Sequence, residues 1–146
     1  MFSGVPIPVI ARLRDAFPRV FVGLKDSSGD LDNMKSLVKA FPGFAVLAGA
    51  DPLLPLLQAG GAGCVTAASN LVSTDLAAIY RHHADSAQQE AVQAAHASAV
   101  AMRNRVSQFA QIASIKALLA EKTGNPNWRS VRPPLLPLTE DERSKL

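Results

Sequence analysis

The sequence predicts an α/β fold with a parallel sheet, the back part of a β/α barrel or of a doubly wound sheet, followed by a helical segment. Three observations carry this. Apolar runs occur at Val20 to Leu24, Phe44 to Ala48 and Gly63 to Ala67, and each leads through a polar or glycine-containing loop into a helical stretch. Strand starts at 20, 44 and 63 favour right-handed crossovers between adjacent parallel strands. Each run is apolar on both faces, as in strands buried between two layers.

Taken in order, Pro8 to Phe17 places Val9, Ile10, Leu13 and Phe17 on one face of a helix that Pro18 stops. After the first strand, Asp30 suits the N-cap of a helix over Leu31 to Phe41, with Leu31, Met34, Leu37, Val38 and Phe41 as its apolar stripe. Pro42-Gly43 turns the chain into the second strand. Gly49-Ala50-Asp51 is then a tight loop, and Pro52 suits the first turn of a short helix reaching Ala59, which Gly60-Gly61 ends. The third strand gives way to a helix from Ser73 or Thr74 to about His83.

Beyond that point no strand follows. Asp85 caps an Ala-rich helix from about Ser86 to Val106, and a further helix covers about Ile112 to Lys122. The prolines of Val131 to Leu138 impose extended chain, and Thr139 with Glu142 forms a capping box for a terminal helix. We read residues 1–84 as a partial β/α barrel and residues 85–146 as a helical extension of the same domain. Three parallel strands alone leave two long edges open.

The bulk properties exclude several function classes. With 146 residues, 48% hydrophobic and 18% charged, the chain has the composition of a folded globular protein. Its net charge of +3 is scattered among acids, without the basic cluster or interleaved aromatics of a nucleic-acid binder. The single cysteine, Cys64, lies in an apolar run and reads as a buried structural thiol, which fits a reducing cytoplasm. Met1 to Pro6 lacks the basic start and apolar core of a signal peptide. From Phe44 to Val72 the only charge is Asp51, but Pro52, Pro55, Gly60, Gly61 and Gly63 break that stretch, so no membrane span is expected. His82 and His83 are splayed by about 100° on a helix and His96 is remote, so no metal site is expected. Gly60 to Gly63 precedes a strand instead of opening a helix, which makes it a turn and not a phosphate cradle.

Chemistry concentrates at Lys25. It follows the apolar run directly and precedes the polar turn Asp26-Ser27-Ser28-Gly29-Asp30. An amine at the mouth of a strand either attacks a carbonyl as a covalent catalyst or is simply the first solvated residue after the strand. Ser27 and Ser28 have no histidine base nearby in sequence.

Three motifs stand in order at strand ends: Gly23-Leu24-Lys25-Asp26-Ser27-Ser28-Gly29-Asp30, Leu47-Ala48-Gly49-Ala50-Asp51, and Gly60-Gly61-Ala62-Gly63-Cys64-Val65-Thr66. Together with the tail Val131-Arg132-Pro133-Pro134-Leu135 they resemble the dihydrodipicolinate synthase/N-acetylneuraminate lyase family across the whole chain. The resemblance implies the C-terminal part of a TIM (β/α)8 barrel with C-terminal helices. It also implies a class I carbon-carbon lyase that condenses or cleaves through a lysine Schiff base, with pyruvate or another 2-oxo acid and an aldehyde as substrates. Lys25 is the implied Schiff-base lysine, at the end of the sixth barrel strand. Gly49 and Asp51 match the loop after the seventh strand, which lines the pocket, and Thr66 and Ala67 match the end of the eighth, near the bound acid. For Asp51 the alternative is a cap on the helix at Pro52, and for Thr66 and Ala67 it is packing alone. No metal or organic cofactor is implied, and a homo-oligomer is expected.

The chain also departs from the family. Met1 to Val5 resembles the segment after the fifth strand, so the resemblance implies a chain truncated at the N-terminus. Strands one to five, the threonine-rich loop that holds the oxo-acid carboxylate and the proton-relay tyrosine then have no counterpart; Tyr80 is on a helix. An ordinary lysine is neutral in roughly one molecule in 2,500 at pH 7, a deficit of about 4 to 5 kcal/mol. Burial supplies most of that, and a half barrel with an open inner face would not. The alternative is therefore a non-catalytic remnant, or an oligomerising half barrel that keeps the fold without activity.

Overall fold

The computed structural model describes residues 4–49 and 53–146. Its sheet has three parallel strands in sequence order: β1 (Gly23–Asp26), β2 (Ala45–Ala48) and β3 (Gly63–Cys64). The ladder aligns Lys25 with Leu47 and Leu47 with Gly63, while Asp26, Ala48 and Cys64 form the next row. Since side chains alternate along a strand, these two rows lie on opposite faces.

One face is covered by helices. α1 (Ile7–Ala16), α2 (Leu31–Ala40) and α3 (Leu53–Gln58) pack Ile10, Met34, Leu37 and Leu56 against Val46 and Ala48, with Phe41 and Phe44 closing the end of the cluster. Phe44 holds Phe21 and Phe41 at ring distances of 5.1 and 5.9 Å. Arg14 at the end of α1 donates to the Pro42 carbonyl at 2.9 Å and lies over the Phe41 ring, which pins α1 to the end of α2. α4 (Ser69–His82) and α5 (Gln89–Val106) extend the layer with Ile79 and Val92 buried against Leu53, Leu54 and Leu57 of α3. α6 (Gln111–Thr123) buries Ala113 and Ala117 beneath Leu138, and α7 (Glu140–Lys145) ends the chain.

The expected element order holds, with three differences of extent. The first strand is Gly23–Asp26 instead of Val20 to Leu24, because Val20 and Phe21 still donate to the Phe17 carbonyl after α1, leaving pairing to begin around Gly23. Lys25 is therefore inside the strand, not after it. The third strand keeps only Gly63 and Cys64, because its partner β2 ends at Ala48; a single bond from the Val65 N–H to the Ala48 carbonyl follows. The helix expected at Ser73 begins at Ser69, because Ser69 bonds back to the Thr66 carbonyl through both its N–H and its hydroxyl; Val72 then leaves helical geometry (φ −122°, ψ 30°) and kinks it.

Capping follows the sequence. Asp30 accepts from the N–H groups of Asp32 and Asn33 at 2.9 and 3.0 Å, and Thr139 with Glu142 forms the capping box of α7. Asp85 accepts from Ala87 N–H, but caps a short 3-10 turn ahead of α5. Residues 131–138 are extended apart from a turn at Pro133-Pro134.

Two substitutions separate capping from burial. Asp30→Ala should lower unfolding free energy by about 1 kcal/mol, and Leu56→Ala, at a fully buried contact, by about 2 to 5 kcal/mol. Urea unfolding monitored by circular dichroism checks both, and equal losses would refute this division.

Candidate active site around Lys25

Lys25 projects from the sheet face that the helices leave uncovered, and it is exposed. Its stem is held from one side by Gly49. A Cβ built on Gly49 would stand 2.9 Å from Lys25 Cε, 2.7 Å from Ser27 Oγ and 2.7 Å from the Asp26 carbonyl oxygen. The Gly49 N–H donates to that same carbonyl at 2.6 Å. Only a residue without a side chain allows β2 to end this close to Lys25.

The turn after Lys25 is fixed by Asp26, which points to the covered face and is 7% exposed. Its carboxylate accepts from the Ser28 N–H at 2.7 Å and the Asn33 side-chain amide at 2.6 Å. Ser28 Oγ accepts from the Asp30 N–H at 3.0 Å, and Asp30 caps α2. A chain of side-chain turns thus runs from the catalytic candidate to the helix behind it. Burial pushes the Asp26 carboxyl up, but the hydroxyl and N–H of Ser28 and the amide of Asn33 outweigh it and hold the group below its ordinary 3.8.

A cavity of about 500 Å³ opens beside β1. Lys25, Asp26, Ser27 and Ser28 form its polar end, and Ile10, Leu13, Phe21 and Leu37 its apolar walls. Gly49 touches the lysine stem from the neighbouring strand. Thr66 and Ala67 do not join them: they lie beyond β3, about 10 Å away across two strand spacings. Thr66 Oγ accepts from Ala68 N–H and its carbonyl from Ser69, so Thr66 starts α4, and the Ala67 carbonyl accepts from Asn70. Asp51 lies outside the described residues.

Burial pushes the Cys64 thiol up, away from thiolate chemistry. Among the described residues no three His, Cys, Asp or Glu side chains gather to hold a metal ion, and no helix is long and apolar enough to cross a membrane. Asp26 was not singled out from the sequence. The signal was there in Asp26, Ser28 and Asp30, polar residues two apart that can each bond the backbone two residues on.

A sequence model of the dihydrodipicolinate synthetase family matches residues 3–146. The chain belongs to this family. Among the family's curated members, the 4-hydroxy-tetrahydrodipicolinate synthase 1 of Halalkalibacterium halodurans is 34% identical over 146 residues, covering 99% of this chain and 48% of that one. Two solved members share the fold. The 4-hydroxy-tetrahydrodipicolinate synthase of Methylacidiphilum fumariolicum SolV superposes with a TM-score of 0.81 at 27% identity, over 96% of this chain and 46% of that one. The dihydrodipicolinate synthase of Agrobacterium tumefaciens str. C58 does so with 0.79 at 25% identity, over 98% and 47%. The chain thus spans about half the length of the synthases it matches, corresponding to the C-terminal part of their TIM barrel.

Two measurements probe the local design. Gly49→Ala should lower stability by about 1 to 3 kcal/mol, read by thermal unfolding, because the new methyl meets backbone it cannot displace. Asp26 has a lowered pKa in the fold, so its contribution should be present above about pH 4 and lost as pH falls through the folded value. Asp26→Asn should remove that part of the pH dependence in urea titrations between pH 2 and 6, and an unchanged curve would contradict the assignment.

Proposed function

We propose that this chain carries the nucleophile of a Schiff-base aldolase/lyase or synthase of the dihydrodipicolinate synthase type, with Lys25 attacking pyruvate or a related 2-oxo acid. The observation that carries this reading is the placement of Lys25 at the C-terminal end of β1, its stem against Gly49 and its neighbours lining a cavity. Catalytic groups of β/α barrels sit at that end of the strands.

The chemistry needs only the amine, the two substrates and water. The Lys25 nitrogen adds to the ketone carbon of the oxo acid, and the ketone oxygen leaves as water, giving an iminium. Loss of a proton from the adjacent carbon yields an enamine. That carbon bonds to the aldehyde carbon, whose oxygen takes up a proton, and water then restores the ketone and frees the amine. Cleavage is the same path reversed. Asp26 and Gly49 act by fixing where the strand ends. Gly49, Asp51, Thr66 and Ala67 are the proposed substrate-contacting positions, with Gly49 standing nearest the amine. A cytoplasmic, homo-oligomeric enzyme is part of the same reading.

One observation favours a second reading, a half barrel that keeps the fold without activity. Lys25 is exposed on an uncovered sheet face, and desolvation acts only on an amine removed from water. Incubation with pyruvate and borohydride followed by intact mass measurement separates the readings. The Schiff-base reading predicts a reduced pyruvyl adduct on the wild-type chain that Lys25→Ala lacks. A folded chain without adduct would sink it in favour of the second.

A further inference from the structure

β1 and β3 are each paired on one side only, so the sheet ends in two free parallel edges. The larger cavities of the described structure lie at these edges. The 500 Å³ cavity borders β1, and one of about 340 Å³ lies at β3, lined by Leu47, Gly63, Ser73 and Tyr80 among others. Apolar side chains stand uncovered at both. Val20 and Val22 lead into β1 with 81% and 59% of their surface exposed, and Val65 follows β3 with 53%. Apolar strand residues beside unpaired backbone are a template for further strands.

We propose that both edges are the docking surface of one partner: a polypeptide of β/α units equivalent to the N-terminal part of the family barrel, which adds a parallel strand at β1 and another at β3. The choice rests on the extent of the match. The chain superposes on only 46–47% of solved synthases, and an eight-stranded closure with three strands present leaves five to be supplied. A second copy of this chain brings three, too few to close such a barrel. Docking would cover the face that carries Lys25 and take its amine out of bulk water, so the proposal names the partner on which the Schiff-base reading depends.

The test is co-expression of the full chain with the N-terminal part of the Halalkalibacterium halodurans synthase that it does not match. Complex formation is read by size-exclusion chromatography with light scattering. A one-to-one complex is expected, weakened about tenfold or more by the joint substitutions Val22→Lys and Val65→Lys. Both sites are exposed, and circular dichroism of the variant alone checks that it folds. A chain that stays alone, pairs only with itself, or binds with unchanged affinity after both substitutions overturns the proposal. Borohydride trapping on the same samples keeps the two ideas apart. A complex without adduct sinks the chemistry and leaves the docking, whereas an adduct on the lone chain with no complex does the reverse.

Discussion

The hydrogen bond from Gly49 N–H to the Asp26 carbonyl, 2.6 Å long, closes the C-terminal ends of β1 and β2 on each other. Everything about the candidate site depends on that closure. It places the end of β2 against the stem of Lys25, and the room for it exists because position 49 has no Cβ. From the other side, the buried Asp26 side chain holds the turn to Ser28 and Asn33, and Asp30 passes the turn into α2. The lysine is thus presented by two strands and a helix, although its own head group has little around it.

The same sheet has two unlike faces. Toward the helices, Val46 and Ala48 are fully buried and supply the apolar contact that orders α1, α2 and α3. On the opposite face, the row Lys25, Leu47 and Gly63 borders open space. Burial is what removes a proton from an amine most effectively, so the fold builds the strand-end position while leaving open the question of what dries it. That asymmetry connects the chain's half-length match to its relatives with the exposed apolar residues at its edges.

Much of this was readable in the residues. Period and caps located every helix, because Asp30 and the Thr139 and Glu142 pair announce their caps directly and the apolar stripes are long. Strand limits were less readable, since Val20 to Leu24 is uniformly apolar and gives no sign that the turn after α1 holds Val20 and Phe21 out of the sheet. The three-residue advance of α4 depends on the Thr66 and Ser69 contacts, which periodicity does not encode. At the site, Lys25 and Gly49 were found as motif members and do meet. The role of Asp26 was hidden because a carboxylate in a polar turn looks like solvated surface until burial is known. Thr66 and Ala67 stand apart from Lys25 by the width of the sheet, a separation that order along the chain does not convey.

The most direct test of this account is amide hydrogen exchange at Gly49. A residue at a strand end beside a loop ordinarily exchanges fast. If the closure between β1 and β2 holds as described, the Gly49 N–H should exchange only as slowly as the buried amides of Val46 and Leu37, through opening of the whole sheet. Exchange at the rate of an exposed loop amide such as that of Gly29 would contradict the account.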